Sequence, residues 1–198
     1  MQILLIAIFF LVLIWSGINP KDYFTWFLET APAMLGFIAL AVTYKKFRLT
    51  NLTYTLILIQ CIILMVGGHY TYAEVPLFDW IKDIFALQRN NYDKLGHLAQ
   101  GFVPAIIARE VFIRKSVIQK NSWLNFFVVC FCLALSALYE LIEWSVAVVV
   151  GESSEAFLGT QGYIWDTQTD MAGALVGAIL ALVLLSKVHD KQLRSIEA

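Results

Sequence analysis

Charge is what this chain has least of. Asp, Glu, Lys and Arg make up 15% of its 198 residues, against about 25% in a soluble domain, while 60% are hydrophobic. The mean hydropathy of +0.72 is too high for a water-exposed fold. A chain of this size has little interior in which to hide so much apolar surface. Nor is there a basic excess. The net charge of −1 excludes electrostatic nucleic-acid binding, which needs a surface that neutralises phosphates. Cysteine is scarce as well: Cys61, Cys130 and Cys132 lie inside apolar runs without C-x-x-C spacing, so they form no disulfide or metal framework and read as core residues. Internal repeats, low-complexity tracts and linkers are missing, and so is the zincin pattern H-E-x-x-H.

What is present is a series of long apolar runs. A spanning helix needs about 20 mostly apolar residues. The runs at about 2–18, 22–44, 51–70, 93–113, 122–150 and 166–187 supply six, which predicts an all-α polytopic transmembrane bundle forming a single integral membrane domain over residues 1–198. The first run lacks the charged flank and small-residue cleavage site of a signal peptide, so an uncleaved span is expected. Asn19-Pro20, Asn51, Asn91 and Asn121-Ser122 are the expected helix starts, and Pro32 and Pro104 fall inside spans two and four.

Orientation follows from the loops. Lys45, Lys46 and Arg48 follow span two; Arg109, Arg114, Lys115 and Lys120 surround the link after span four; Lys187, Lys191 and Arg194 follow span six. Alternating helices put these clusters on one side, so the positive-inside rule predicts that they and both termini are cytoplasmic. Residues 71–92 and 151–165 then face outward. Trp15, Tyr23 and Trp26 would mark the outer interface, and Tyr44 and Trp123 the inner one.

Against this apolar background the intramembrane charges stand out, since each carries an insertion cost of about 2.5–3.5 kcal/mol. Asp93 and His97 share one helix face at i, i+4, with Lys94 between them. Glu140 and Glu143 lie one turn apart, Glu143 about 10 Å below the outer end of its helix. Asp166 and Asp170 repeat that spacing at the start of span six. His69 and Glu74 lie near the end of span three. The candidate catalytic cluster is therefore Asp93, Lys94, His97, Glu140, Glu143, Asp166 and Asp170, all expected in the outward half. Its excess of acid must share protons, pair with cations or hold a metal. His97, Glu140, Glu143 and Asp170 are the expected ligands of a divalent cation. Simpler readings stand beside this one: Asp166 as a cap, Asp93 as a charge favoured by the helix dipole, Lys94 snorkelling, and His69 or His97 satisfied in the core. Glu29 and Glu110 read as structural, and Gly173 and Gly177 as a close-packing G-x-x-x-G.

Four motifs in order, Gly-Gly-His-Tyr-Thr-Tyr (67–72), Tyr-Asp-Lys-Leu-Gly-His (92–97), Tyr-Glu-Leu-Ile-Glu-Trp (139–144) and Trp-Asp-Thr-Gln-Thr-Asp-Met (165–171), resemble the YjdF family of bacterial inner-membrane proteins. The resemblance covers nearly the whole chain and implies the membrane class and the inner-membrane location, without an activity. A more distant likeness is to VanZ-like membrane proteins, which pair Asp-Lys-x-x-His with Glu-x-x-Gln and a later Asp before small residues. Asp93 to His97, Glu140, and Asp170 with Ala172 and Gly173 follow that pattern, but Glu143 stands where the glutamine belongs. This likeness implies a role in the cell envelope. Three functions remain open: a metal-dependent enzyme acting on a lipid or envelope precursor, a proton- or cation-coupled transporter or channel, and a scaffold without catalysis. The expected partners are membrane lipids, with a homodimer or an envelope protein as further alternatives.

Overall fold

The computed structural model describes residues 2–119, 122–150 and 160–197. Among the described residues the chain is helical throughout, without strands. Seven α-helices follow in order: α1 (Gln2–Ser16), α2 (Tyr23–Thr43), α3 (Asn51–Tyr70), α4 (Pro76–Ile84), α5 (Tyr92–Arg114), α6 (Ser122–Val150) and α7 (Asp166–Glu197), with a 3₁₀ turn at Tyr72–Glu74 before α4.

Four of these, over Tyr23–Thr43, Asn51–Tyr70, Trp123–Val150 and Asp166–Ile196, are long and apolar enough to cross a bilayer. Large apolar side chains such as Ile3, Leu35, Trp123, Val149 and Val183 lie exposed on the outside of the bundle, as expected where lipid is the solvent. α1 is 15 residues long, about 22 Å. α5 is long enough at 23 residues but too charged to pass as a lipid-facing span. Its position explains how it tolerates the charge. It packs against α3, α6 and above all α7, and twelve of its residues are buried, Asp93, His97, Arg109 and Glu110 among them.

The α5–α7 crossing is made possible by glycine. A methyl group on Gly101 would collide with the carbonyl of Ala174, and one on Gly177 with the carbonyl of Leu98. The G-x-x-x-G pair is therefore a packing surface, with Gly173 lying against His97 Cβ at the candidate site. Below this contact Val103, Ile106, Leu124, Val128, Cys132 and Ala178 form a closed apolar core.

Several local expectations are corrected. α2 is capped by Asp22, whose carboxylate accepts from the backbone N–H groups of Phe24 and Thr25, so Asn19-Pro20 lies in the preceding turn. Thr50, rather than Asn51, caps α3, because its hydroxyl accepts from Thr53 N. Asn91 holds the cap position of α5 but makes no side-chain cap bond. Asn121 lies outside the described residues. α7 continues to Glu197, past the expected end at 187, on a polar stretch anchored by buried His189 and Leu193. Cys61 and Cys132 are buried as expected, whereas Cys130 is exposed on α6.

α4 escaped the hydropathy reading because it is short and amphipathic. Asp79 faces the protein: its Oδ1 accepts from Asn90 Nδ2 at 3.1 Å and from Lys82 Nζ at 2.9 Å. Burial pushes this carboxyl up, but the bonds from Lys82 and Asn90 outweigh it and hold the group below the ordinary carboxylate range. Leu77, Trp80 and Ile84 form the opposite, exposed stripe.

Candidate functional site

The start of α5 and the start of α7 lie side by side, and this contact assembles most of the acidic motif residues. Lys94 is the hub. Its ammonium donates to Asp170 Oδ1 at 2.6 Å, Thr169 Oγ1 at 2.8 Å and Asp166 Oδ1 at 2.9 Å, with Asp93 Oδ2 at 3.7 Å. Asp166 opens α7 and also accepts from Arg89 Nη1 at 2.7 Å, so it is an ion-pair partner as well as a helix-start residue. Arg89 reaches Asp93 Oδ2 at 3.6 Å, and its guanidinium lies over the Tyr163 ring.

His97 sits one turn deeper on α5. Its Nε2 lies 3.3 Å from Asp93 Oδ1 and 3.9 Å from Asp170 Oδ1. Its Nδ1 meets Gln100 Oε1 at 2.9 Å, with Glu140 Oε1 at 3.7 Å. Ligand atoms of Asp93, His97 and Asp170 all lie within 4.8 Å of one another. The cation ligands expected from sequence were His97, Glu140, Glu143 and Asp170. The geometry keeps His97 and Asp170, brings in Asp93, and sets the two glutamates further out.

A cavity of ≈ 240 Å³ lies beside this triad. Asp93, His97, Glu143 and Glu29 supply its carboxylate and imidazole groups, Gln60, Gln100 and Tyr139 add polar edges, and Pro32, Ala33, Leu64, Ile107 and Leu135 make it otherwise apolar. Glu140 and Asp170 stand outside its lining and contact His97 instead. Of the two glutamates expected as ligands only Glu143 lines the cavity, while the helix turns Glu140 toward His97 Nδ1 at 3.7 Å. α2 lines the partly open cavity through Glu29, Pro32, Ala33 and Gly36, and α6 through Leu135, Tyr139 and Glu143.

Glu29 and Arg89 are the residues that sequence reasoning missed. Glu29 is buried and reaches the cavity because Gly68 lets its Cβ come close. The Tyr72 ring is wedged between Gly67 and Gly96, where a methyl on Gly96 would come within 2.9 Å of it. Gly68, inside a quoted motif, was the available signal for Glu29. Arg89 lies on a loop that was read for topology alone.

The burial is incompletely satisfied. Asp93 Oδ2 and Glu140 Oε1 are buried acceptors without a hydrogen bond, on side chains 8% and 7% exposed. Six carboxyl groups (Glu29, Asp93, Glu140, Glu143, Asp166, Asp170) surround two permanent cations, Arg89 and Lys94. Such an arrangement has to keep some of its carboxyl groups protonated or take up a further cation.

Other polar residues sit apart. His69 Nδ1 meets Ser16 O at 3.0 Å and its ring packs on Trp15, while Glu74 pairs with Lys21. At the opposite end of α5, Glu110 is fully buried. It accepts from Thr50 N and Oγ1 (both 2.9 Å), Thr53 Oγ1 (2.7 Å), Arg114 Nη1 (2.8 Å) and His189 Nε2 (3.1 Å). Arg109 donates to His189 Nδ1 at 3.0 Å and to Asp190 Oδ1 at 2.6 Å. With both carboxylate oxygens of Glu110 bonded, this network locks α3, α5 and α7 together, in keeping with the structural reading of Glu110.

Comparison with known proteins places these motifs. The family described as Predicted membrane protein (DUF2238) matches residues 1–191. The inner membrane protein YjdF of Escherichia coli (strain K12) is 47% identical over 184 residues, which is 93% of this chain and 88% of that protein. No solved structure matches. These findings support the YjdF resemblance and the inner-membrane location, and lend nothing to the VanZ-like one. The chain belongs to the DUF2238 family of membrane proteins, the family of YjdF-like inner-membrane proteins that its four motifs resemble.

Proposed function

We propose that this protein is a membrane-embedded, divalent-cation-dependent enzyme that takes a lipid or lipid-linked envelope precursor sideways from the bilayer. In this reading α1, α2, α3, α5, α6 and α7 cross the membrane as one integral domain with both termini cytoplasmic. Lys45, Lys46, Arg114, Lys115 and Lys191 gather at that end and the acidic cluster at the other. The observation that carries the reading is the meeting of Asp93, His97 and Asp170 beside a cavity with an apolar wall and an open side. Two carboxylates and an imidazole form a ligand set for Mg²⁺, Mn²⁺ or Zn²⁺. Asp93 Oδ1 faces His97, while its Oδ2 makes no hydrogen bond and lies 3.6 Å from Arg89 and 3.7 Å from Lys94, so the carboxylate is only partly compensated and an ion would add to it. An ion there would polarise a phosphoryl or carbonyl oxygen, and would let an acidic site accept an anionic head group.

Lys94 shapes the site. It already holds Asp170 Oδ1 at 2.6 Å, so an incoming cation has to share or take that oxygen while Lys94 leans on Asp166. Asp166 and Arg89 thereby act as positioning residues, and Glu143 and Glu29 face the substrate volume, where one can accept a proton. The channel reading is less favoured, because the closed apolar core and the bonded Glu110–His189 network lie between the cavity and the basic end.

The test is conversion of lipid. Purified protein in nanodiscs of bacterial envelope lipids is incubated with Mg²⁺, Mn²⁺ or Zn²⁺, and the lipids are followed by mass spectrometry. Loss of a lipid species by the native protein, but not by His97→Gln or Asp170→Asn, supports the proposal. Unchanged lipids together with pH-driven ion flux in liposomes would replace it with transport.

A further inference from the structure

At the basic end of the bundle α1 and α2 both pack mainly on α3 and meet one another through Phe9 and Phe37 and through Gln2 and Tyr44. The space between them is a cavity of ≈ 410 Å³ floored by Ile57, Leu58 and Cys61 of α3. Its two ends are closed. At mid-bundle the Phe9 and Phe37 rings stack at 4.8 Å, with Phe10 edge-on. At the basic end a polar collar crosses from α1 to α2. With its amide oriented to suit its neighbours, Gln2 donates to the Tyr44 hydroxyl at 2.6 Å and accepts from Arg48 Nη2 and Nε at 2.9 and 3.0 Å. The Arg48 guanidinium lies near the Tyr44 ring, and Tyr54 Oη accepts from Leu49 N, which ties the loop over the opening.

We propose that this window is a binding site for one anionic glycerophospholipid, with an acyl chain in the cavity and the phosphate at Arg48. Shape selects the occupant. From Phe9 to Gln2 the window is about 10 Å long, and a helix about 10 Å across cannot enter an opening bridged at both ends. A flexible hydrocarbon chain can thread it from the side. The lining is apolar apart from the collar, so it offers no hydrogen bonds to a polar guest. Charge selects the head group. Arg48 spends two N–H donors on Gln2 and keeps the others for an incoming anion, and exposed Lys45 and Lys46 lie on the same loop. Arginine suits a phosphate because its fork of donors matches the anion's oxygens. The site holds none of the acidic residues discussed above and stands independently of the proposed activity.

Native mass spectrometry of the full-length protein tests it, with nanodiscs of phosphatidylglycerol and phosphatidylcholine mixed equally. The native protein should retain one phosphatidylglycerol, at least fivefold over phosphatidylcholine. Ala41→Trp, which fills the window from an exposed position, should lose the bound lipid, and Arg48→Gln should lose the preference while still retaining a lipid. Circular dichroism and gel filtration establish that both variants fold. A variant that fails to fold is replaced by Leu40→Trp or Arg48→Lys, for which loss and partial retention of the preference are expected. Retention without head-group preference in the native protein, undiminished retention in the filled variant, or a dimer lost on filling the window would each overturn the proposal.

Discussion

Replacing Lys94 by methionine keeps an unbranched stem as far as Cε and removes the ammonium that holds Asp166 and Asp170 at 2.9 and 2.6 Å. Those carboxylates are 10% and 3% exposed, so they cannot turn to water for compensation. Breaking a buried pair from one side costs about 3–5 kcal/mol. Lys94 itself is 27% exposed and Arg89 still reaches Asp166, so the cost is discounted below that range, to about 2–3 kcal/mol. The same change frees Asp170 Oδ1 for a metal. If Asp93, His97 and Asp170 form a cation site, a divalent ion at a hundred times its dissociation constant returns about 2.7 kcal/mol. The variant should thus be unstable in chelator and nearly restored by one of Mg²⁺, Mn²⁺ or Zn²⁺, while the native protein, with Lys94 in competition, gains less. Unfolding by SDS titration in mixed micelles, with and without each ion, reads both effects. Lys94→Arg, which keeps the charge, should lose far less. A methionine variant as stable as the parent in chelator, or destabilised but indifferent to all three ions, would refute this reasoning.

Gly177→Ala should destabilise the α5–α7 crossing by about 1–3 kcal/mol or prevent folding, because the new methyl meets the backbone carbonyl of Leu98, which cannot rotate away; thermal stability in detergent checks it. Glu140→Gln should leave stability unchanged or slightly raised, since Glu140 Oε1 already lacks a hydrogen bond, and the same unfolding titration would show any loss. Single cysteines at Lys46 and Asp83 should be labelled from opposite sides of the membrane by an impermeant thiol reagent, and labelling from one side would end the six-span arrangement.

The helices that cross in isolation were legible because lipid imposes a length and a composition on each. Five of the six expected runs begin within one residue of α1, α2, α3, α5 and α7, and α6 coincides with its run. α5 was counted among the apolar runs by its length, although its charge would disqualify a lipid-facing span, and the packing that tolerates that charge was not legible. α4 was not, because hydropathy averaged over a spanning length erases a nine-residue amphipathic segment. At the site, the i, i+4 rule paired Asp93 with His97 correctly, since that contact is local. Spacing alone treated Glu140 and Glu143 as one unit, yet the helix turns the first toward His97 Nδ1 and the second into the cavity lining. Glu29 lies 64 residues before Asp93 in the chain, and only packing brings it in. Arg89 lies four residues before Asp93, in reach of it by the same local spacing, and its contact with Asp166 is the long-range part. His189 was not singled out at all, because its partners Arg109 and Glu110 lie on another helix.

The metal content of the purified protein tests the central assignment most directly. After equilibrium dialysis against Mg²⁺, Mn²⁺ and Zn²⁺ in turn, elemental analysis should find one divalent ion per chain for at least one metal. That ion should be lost in Asp170→Asn and in His97→Gln, with helicity retained by circular dichroism. Absence of a stoichiometric ion for all three metals, or an ion that survives both substitutions, would contradict a cation site at Asp93, His97 and Asp170.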